Sequence, residues 1–240
     1  MITPRTLNPN PPVISVRLFG SMARADADTN SDLDILAVLN SSLKDFDLNS
    51  LRCEVEKLFN RRVSFSLYSR RRLSELFTEG HLFAWHLYLE SLPITVEGFN
   101  DWVEDLGTPA GYGAATKDVE SLVEILRSVG PAVEKCPRNA IYEAGVMYVC
   151  LRNIALCASW YSPSGLDFSR QSPYALQKKT GLHFPITNKD YALLTACRMS
   201  GQRATVGQDI EVEKLLSLWR KALNWSKEVM NFVEGKNDGC

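Results

Sequence analysis

The apolar positions of this chain follow two rhythms. Through the first hundred residues they come in short runs broken by polar turns. Val13 to Leu18 reads as a strand, and Gly20 ends it and opens a short helical turn. Leu33 to Leu39 reads as a second strand, apolar enough to be buried on both faces. Leu51, Val55, Leu58 and Phe59 share one face of a helix over Leu51 to Phe59. Arg62 to Tyr68 alternates and contains β-branched and aromatic residues, which predicts a third strand. Ser69 suits the N-cap of the helix that carries Leu73, Leu76 and Phe77. Another helix is expected from His81 to Leu89, and an edge strand from Ile94 to Val96, after Pro93.

From about residue 115 the rhythm is helical only. Val119 to Val133 is amphipathic, and Ala140 to Trp160 is long and apolar, with Gly145 where a second helix can approach closely. Pro173 to Lys179 and Tyr191 to Met199 read as shorter helices, and Ile210 to Val233 as a long amphipathic one. The expected class is α+β: a small mixed-sheet domain over residues 1–105, then an all-α bundle over residues 106–240. The segment TPAGYGAA, Thr108 to Ala115, reads as the linker.

The chemistry concentrates in LFGSMARADADTNSDLDILAVL, residues 18–39. Gly20 and Ser21 follow a strand directly, and Asp32 and Asp34 stand two apart at the start of the next. A glycine at a strand-to-helix turn tolerates unusual backbone angles and lets a phosphate approach the main chain. Amides at the start of the following helical turn attract anions, and the Ser21 hydroxyl adds a donor. Arg24, one turn on, offers a forked guanidinium to a phosphate. Carboxylates at i and i+2 of a strand project from one face. Held that close they repel, and a divalent cation relieves the conflict. Mg2+ suits oxygen ligands shared between carboxylates and substrate phosphates. Asp26 and Asp28 are expected in an exposed loop between the two halves of the motif.

This arrangement resembles the GS-x10-DxD signature of the DNA polymerase beta nucleotidyltransferase superfamily, and most closely its minimal nucleotidyltransferases and kanamycin-type enzymes. The motif spans about twenty residues, and the strand and helix order extends the likeness over roughly the first hundred. The resemblance implies Mg2+-dependent transfer of a nucleoside monophosphate, AMP from ATP, onto a hydroxyl. In it Gly20, Ser21 and Arg24 bind the nucleotide, and Asp32 and Asp34 are catalytic metal ligands. The expected acceptor is a small molecule or a protein. A tRNA end is a third option, through the basic cluster Arg61, Arg62, Arg70, Arg71 and Arg72.

The pattern breaks at one place. Active members of the superfamily supply a third carboxylate from the next strand, which here reads Val63-Ser64-Phe65-Ser66-Leu67. The acid falls at Ser64 or Ser66, and neither hydroxyl replaces it. Kanamycin-type enzymes resemble a solution that takes the acid from the helical domain, and Glu143 is then the third catalytic candidate. The competing reading is a catalytically weak nucleotide-binding regulator, or an antitoxin-like interaction protein. The helix around YVCLRNIAL also resembles the HEPN helical domains that pair with minimal nucleotidyltransferases. The histidine their ribonuclease members carry after the arginine is missing: Leu156, Cys157 and Ala158 hold those places. Arg152 remains a candidate contact for nucleotide or acceptor.

Composition narrows the rest. A net charge of −1 and a pI of about 6.3 argue against a generic nucleic-acid binder. The six cysteines form no CxxC pair, and His81, His86 and His183 lack zinc-ligand spacing. His81 and His86 are expected to serve packing. The sequence shows no apolar run expected to span a bilayer and no secretory leader in MITPRTLNPNPP, so a cytoplasmic protein without a membrane partner is expected.

Overall fold

The structure, a computed structural model, describes residues 13–25, 32–40, 48–94, 101–203 and 209–237. Expectations for residues 1–12, for Asp26 and Asp28, and for the strand beyond Ile94 lie outside them. The chain divides into two compact units, Met1–Tyr112 and Gly113–Cys240. A mixed sheet in the first and, among the described residues, helices alone in the second make the class α+β, as the two rhythms implied.

Unit 1 runs β1 (Val13–Phe19), α1 (Gly20–Ala23), β2 (Leu33–Leu39), α2 (Leu48–Phe59), β3 (Val63–Ser69), α3 (Arg70–Thr78), α4 (Leu82–Glu90) and β4 (Leu92–Pro93). The sheet order is β3-β2-β1-β4. β2 pairs antiparallel with β1 and parallel with β3, while β4 adds antiparallel to the free side of β1. Among the described residues the fourth strand already begins at Leu92, with Leu92 and Pro93 opposite Leu18 and Arg17, and the Ile94 amide donates to the Val16 carbonyl at 2.9 Å.

Side-chain parity sorts the core into two layers. Leu33 and Ile35 of β2 join Val16, Val55 and Val63, on the face that α2 covers. Leu36 and Val38 join Phe19, Leu73, Leu76, Phe77, Ala84 and Leu87, on the face that α3 and α4 cover. Asp34 has the parity of Leu36, so it belongs to the α4 face. Leu33 and Ile35 to Leu39 are all fully buried, and the carboxylate alone interrupts that run. Ser69 caps α3, its hydroxyl accepting from the Arg72 amide at 3.2 Å, a contact of the kind worth about 1 kcal/mol.

Residues 101–112 belong to unit 1. Val103 enters the α4-face core, the Ala110 amide donates to the Phe77 carbonyl at 2.9 Å, and the Trp85 indole donates to the Ala110 carbonyl at 2.9 Å. The first half of TPAGYGAA is therefore anchored rather than a free tether.

Unit 2 holds α5 (Ala115–Lys135), α6 (Ala140–Ala158), α7 (Ser172–Thr180), α8 (Asn188–Arg203) and α9 (Val212–Asn237). α6 is its central helix and packs on the other four. Gly145 is the close-approach point foreseen from sequence: a β-carbon there would stand 3.0 Å from the Arg198 Cα of α8. Gly130 does the same for α9, since a β-carbon would meet the Trp219 ring at 2.5 Å, and that indole donates to the Leu126 carbonyl. By length and composition the stretch Pro137–Tyr161 is apolar enough to cross a membrane, which corrects the sequence expectation. Most of its apolar window is buried in the bundle, and burial among apolar neighbours demands the same composition.

Candidate active site

The turn after β1 brings the motif together. Gly20 takes φ +74, a left-handed backbone that side-chain-bearing residues avoid. Phe19 is the register partner of Asp34, so Gly20 lies beside that carboxylate. A β-carbon on Gly20 would stand 2.5 Å from Asp34 Oδ2. The glycine is required twice, for its backbone angle and for the space. Gly20→Ala is expected to cost about 1–2 kcal/mol in backbone strain and to turn Asp34 aside. The check is thermal unfolding, in which the variant's midpoint falls below that of the native protein.

Ser21 is buried in the single turn of α1, and Arg24 closes that turn, its amide donating to the Gly20 carbonyl at 3.2 Å. Asp32 is exposed immediately before β2, while Asp34 is half-buried within it. Burial raises the Asp34 carboxyl above its usual range, and the charge of Asp32 raises it further; His86 and Arg24 oppose both. Two carboxylates in this condition resist ionising together. Hard-oxygen donors under mutual repulsion fit Mg2+, which completes its shell with water and phosphate oxygens. Among the described residues no group of three or more His, Cys, Asp or Glu side chains stands ready to hold a metal ion. The donor set fits Mg2+ as a two-carboxylate site that needs its substrate.

The third position matches the register argument. Ser64 is the partner of Asp34 across the parallel β2–β3 pair, and Ser66 the partner of Leu36. Ser64 therefore shares a sheet face with Asp34 and offers it only a hydroxyl. Glu143 lies in the first turn of α6 in unit 2, 9% exposed, and burial raises its carboxyl.

Sequence reasoning missed two residues here. The His86 ring stands edge-on to Phe19 at 5.5 Å, and its Nε2 lies 3.1 Å from Glu90 Oε2. The same oxygen accepts from Arg24 Nη1 at 2.7 Å. Burial alone would raise the Glu90 carboxyl, yet the Arg24 hydrogen bond and the His86 ring beside it outweigh that and hold it below its usual range. The available signal was the i,i+4 spacing of His86 and Glu90 on one helix. His81, by contrast, caps α4, its Nδ1 accepting from the Phe83 amide at 3.1 Å.

Two other candidates prove to be occupied. The Arg152 guanidinium donates to the Phe168 and Ser169 carbonyls and to Asn153, holding a loop to the bundle. In the basic cluster Arg71 and Arg72 both pair with Glu75, at 2.9 and 3.2 Å, and Arg70 stacks over Trp102. Two of the five arginines thus share one carboxylate of their own helix.

Residues 4–81 match the family model described as "Polymerase beta, Nucleotidyltransferase". No curated protein matches the chain. Among solved structures it is similar to spectinomycin adenyltransferase AAD(9) from Enterococcus faecialis, described with ATP and spectinomycin. That likeness has 13% identity and a TM-score of 0.47, and covers 91% of this chain and 93% of that one. It is also similar to a nucleotidyltransferase-like protein from Exiguobacterium sibiricum, with 16% identity and a TM-score of 0.28, covering 92% of this chain and 70% of that one.

Proposed function

We propose that the protein is a Mg2+-dependent nucleotidyltransferase that moves AMP from ATP onto a hydroxyl of a small molecule or protein. The observation that carries the reading is the packing of Gly20 against Asp34 within residues matching a nucleotidyltransferase family model. A strained glycine turn pressed on a half-buried acid makes little sense for stability alone and good sense for a phosphate beside a cation.

Asp32 and Asp34 would hold the cation, which when bound neutralises phosphate charge and polarises the α-phosphorus. The Gly20 turn, the Ser21 hydroxyl and Arg24 bind the triphosphate oxygens. The acceptor oxygen bonds to the α-phosphorus as the bond to the β-phosphate oxygen breaks, and pyrophosphate departs. Glu143 is the proposed acceptor of the hydroxyl proton, since burial keeps its proton affinity above that of an ordinary glutamate. Incubation with α-labelled ATP, Mg2+ and a panel of hydroxyl acceptors tests the reading. Label transfer that disappears in Asp32→Asn supports it, and absence of both transfer and ATP binding rejects it.

Ser64 opposite Asp34 favours a second reading, a nucleotide-binding regulator with weak turnover. Ser64→Asp separates the two. A third carboxylate beside Asp34 is expected to tighten Mn2+ or Mg2+ binding about tenfold, or 1.4 kcal/mol, by isothermal titration. Under the regulator reading the variant also gains transfer that the native protein lacks. Under the enzyme reading native transfer is already present, and Glu143→Gln removes it.

A further inference from the structure

Arg24 and His86 come from different elements, α1 and α4, and meet on one oxygen of Glu90. The three side chains are mostly shielded from solvent, at 16%, 17% and 15% exposure, so the bridge is not a loose surface pair. The His86 ring stands against Phe19, the register partner of Asp34, and Arg24 closes the turn that Gly20 opens beside that carboxylate. The bridge therefore borders the phosphate and metal site rather than standing apart from it. Its charge balance is informative. Arg24 supplies one positive charge, and Glu90 cancels it. Asp32 and Asp34 bring two further carboxylates to the same turn.

We propose that Glu90 is a specificity-determining residue which, by holding the Arg24 guanidinium and the His86 ring in one bridge, makes the site refuse a bare triphosphate and accept only a metal-bound one. The inference rests on the proposed function and adds to it a reason for an acid beside a phosphate-binding arginine. A guanidinium left unopposed at the Gly20 turn attracts any polyphosphate, with or without metal. Spent on Glu90, it steers and orients a substrate without overcoming the repulsion of the two aspartates. Only a cation carried with the triphosphate removes that repulsion.

The test uses the full chain and two probes, ATP and inorganic tripolyphosphate, each titrated in excess Mg2+ and in EDTA. The quantity read is the ratio of the two dissociation constants. In the native protein Mg2+–ATP is expected to bind at least about a hundredfold more tightly than free ATP. In Glu90→Gln the ratio narrows at least about tenfold, because metal-free binding tightens, and tripolyphosphate follows the same course. Arg24→Gln, which removes the guanidinium from Glu90, moves the ratio the other way. A ratio unchanged in Glu90→Gln, or both affinities falling together as for a mere structural prop, overturns the proposal. If Glu90→Gln does not fold, a ratio that narrows in Arg24→Gln overturns it equally. A native protein that binds neither form of ATP rejects the proposed function itself, an outcome visible before any variant is made.

Discussion

Asp34→Asn is expected to abolish nucleotidyl transfer while making the metal-free protein more stable. The two effects share one cause. Burial and the neighbouring Asp32 raise the Asp34 carboxyl above its ordinary range, so its ionised form is disfavoured in the folded state. The folded chain then holds that proton at pH values where the unfolded chain has released it. Stability is greatest below the unfolded value of 3.8 and falls as pH rises through the folded value. Above its folded value the native protein carries this cost, and an amide of the same shape removes it. Under the proposed function the amide also removes an anionic metal ligand, and a contribution of several kcal/mol to the transition state corresponds to a loss of about a thousandfold or more in turnover. Calorimetry in EDTA should show a higher unfolding midpoint for Asp34→Asn than for the native chain. Under the proposed function Mg2+–ATP should stabilise the native protein and fail to stabilise the variant. A variant less stable than the native chain without metal would show that Asp34 serves the fold and not the site.

Arg17→Ala is expected to produce the largest loss of stability available in unit 1. Arg17 on β1 is 7% exposed and forms a buried ion pair with Asp101. Its Nε donates to Ser91 Oγ at 2.8 Å and its Nη2 to the Ser91 carbonyl at 3.0 Å. Asp101 in turn accepts from Ser15 Oγ at 2.7 Å and from the Val103 amide at 3.2 Å. Removing the guanidinium strands a buried carboxylate and a buried carbonyl. Breaking one side of such a pair costs about 3–5 kcal/mol, or roughly 10 °C or more in midpoint for a chain of this size. Arg17→Met with Asp101→Leu should recover part of that loss, because an apolar pair leaves no charge uncompensated. A loss under about 1 kcal/mol in Arg17→Ala would mean that water replaces the guanidinium without penalty. The network also fixes Ser91, the C-cap of α4, next to Glu90. Destabilisation here should therefore loosen the Arg24–Glu90–His86 bridge, with nucleotide affinity falling alongside the midpoint.

The sequence alone determined what depends on neighbours along the chain. The period-two runs of β1, β2 and β3, the helical turn at Gly20, the Ser69 cap and the pair Asp32 and Asp34 are local patterns. Local stereochemistry translates them directly into extended or helical backbone. Even the vacancy at Ser64 was legible, because the parallel register beside Asp34 follows once β2 and β3 are known to be adjacent. Tertiary structure decided what depends on elements distant in sequence. His86 and Glu90 enter the site only because α4 packs on the same sheet face as Asp34. Arg24 spends its charge on Glu90, 66 positions away, and Arg17 spends its own on Asp101, 84 positions away. The apolar composition of α6 was compatible with a bilayer or a bundle until its neighbours surrounded it. A one-dimensional pattern carries periodicity and spacing, which fix backbone conformation and facing. It carries no record of which charges become neighbours once apolar faces have been buried, and at this site those neighbours set the balance between anion and cation.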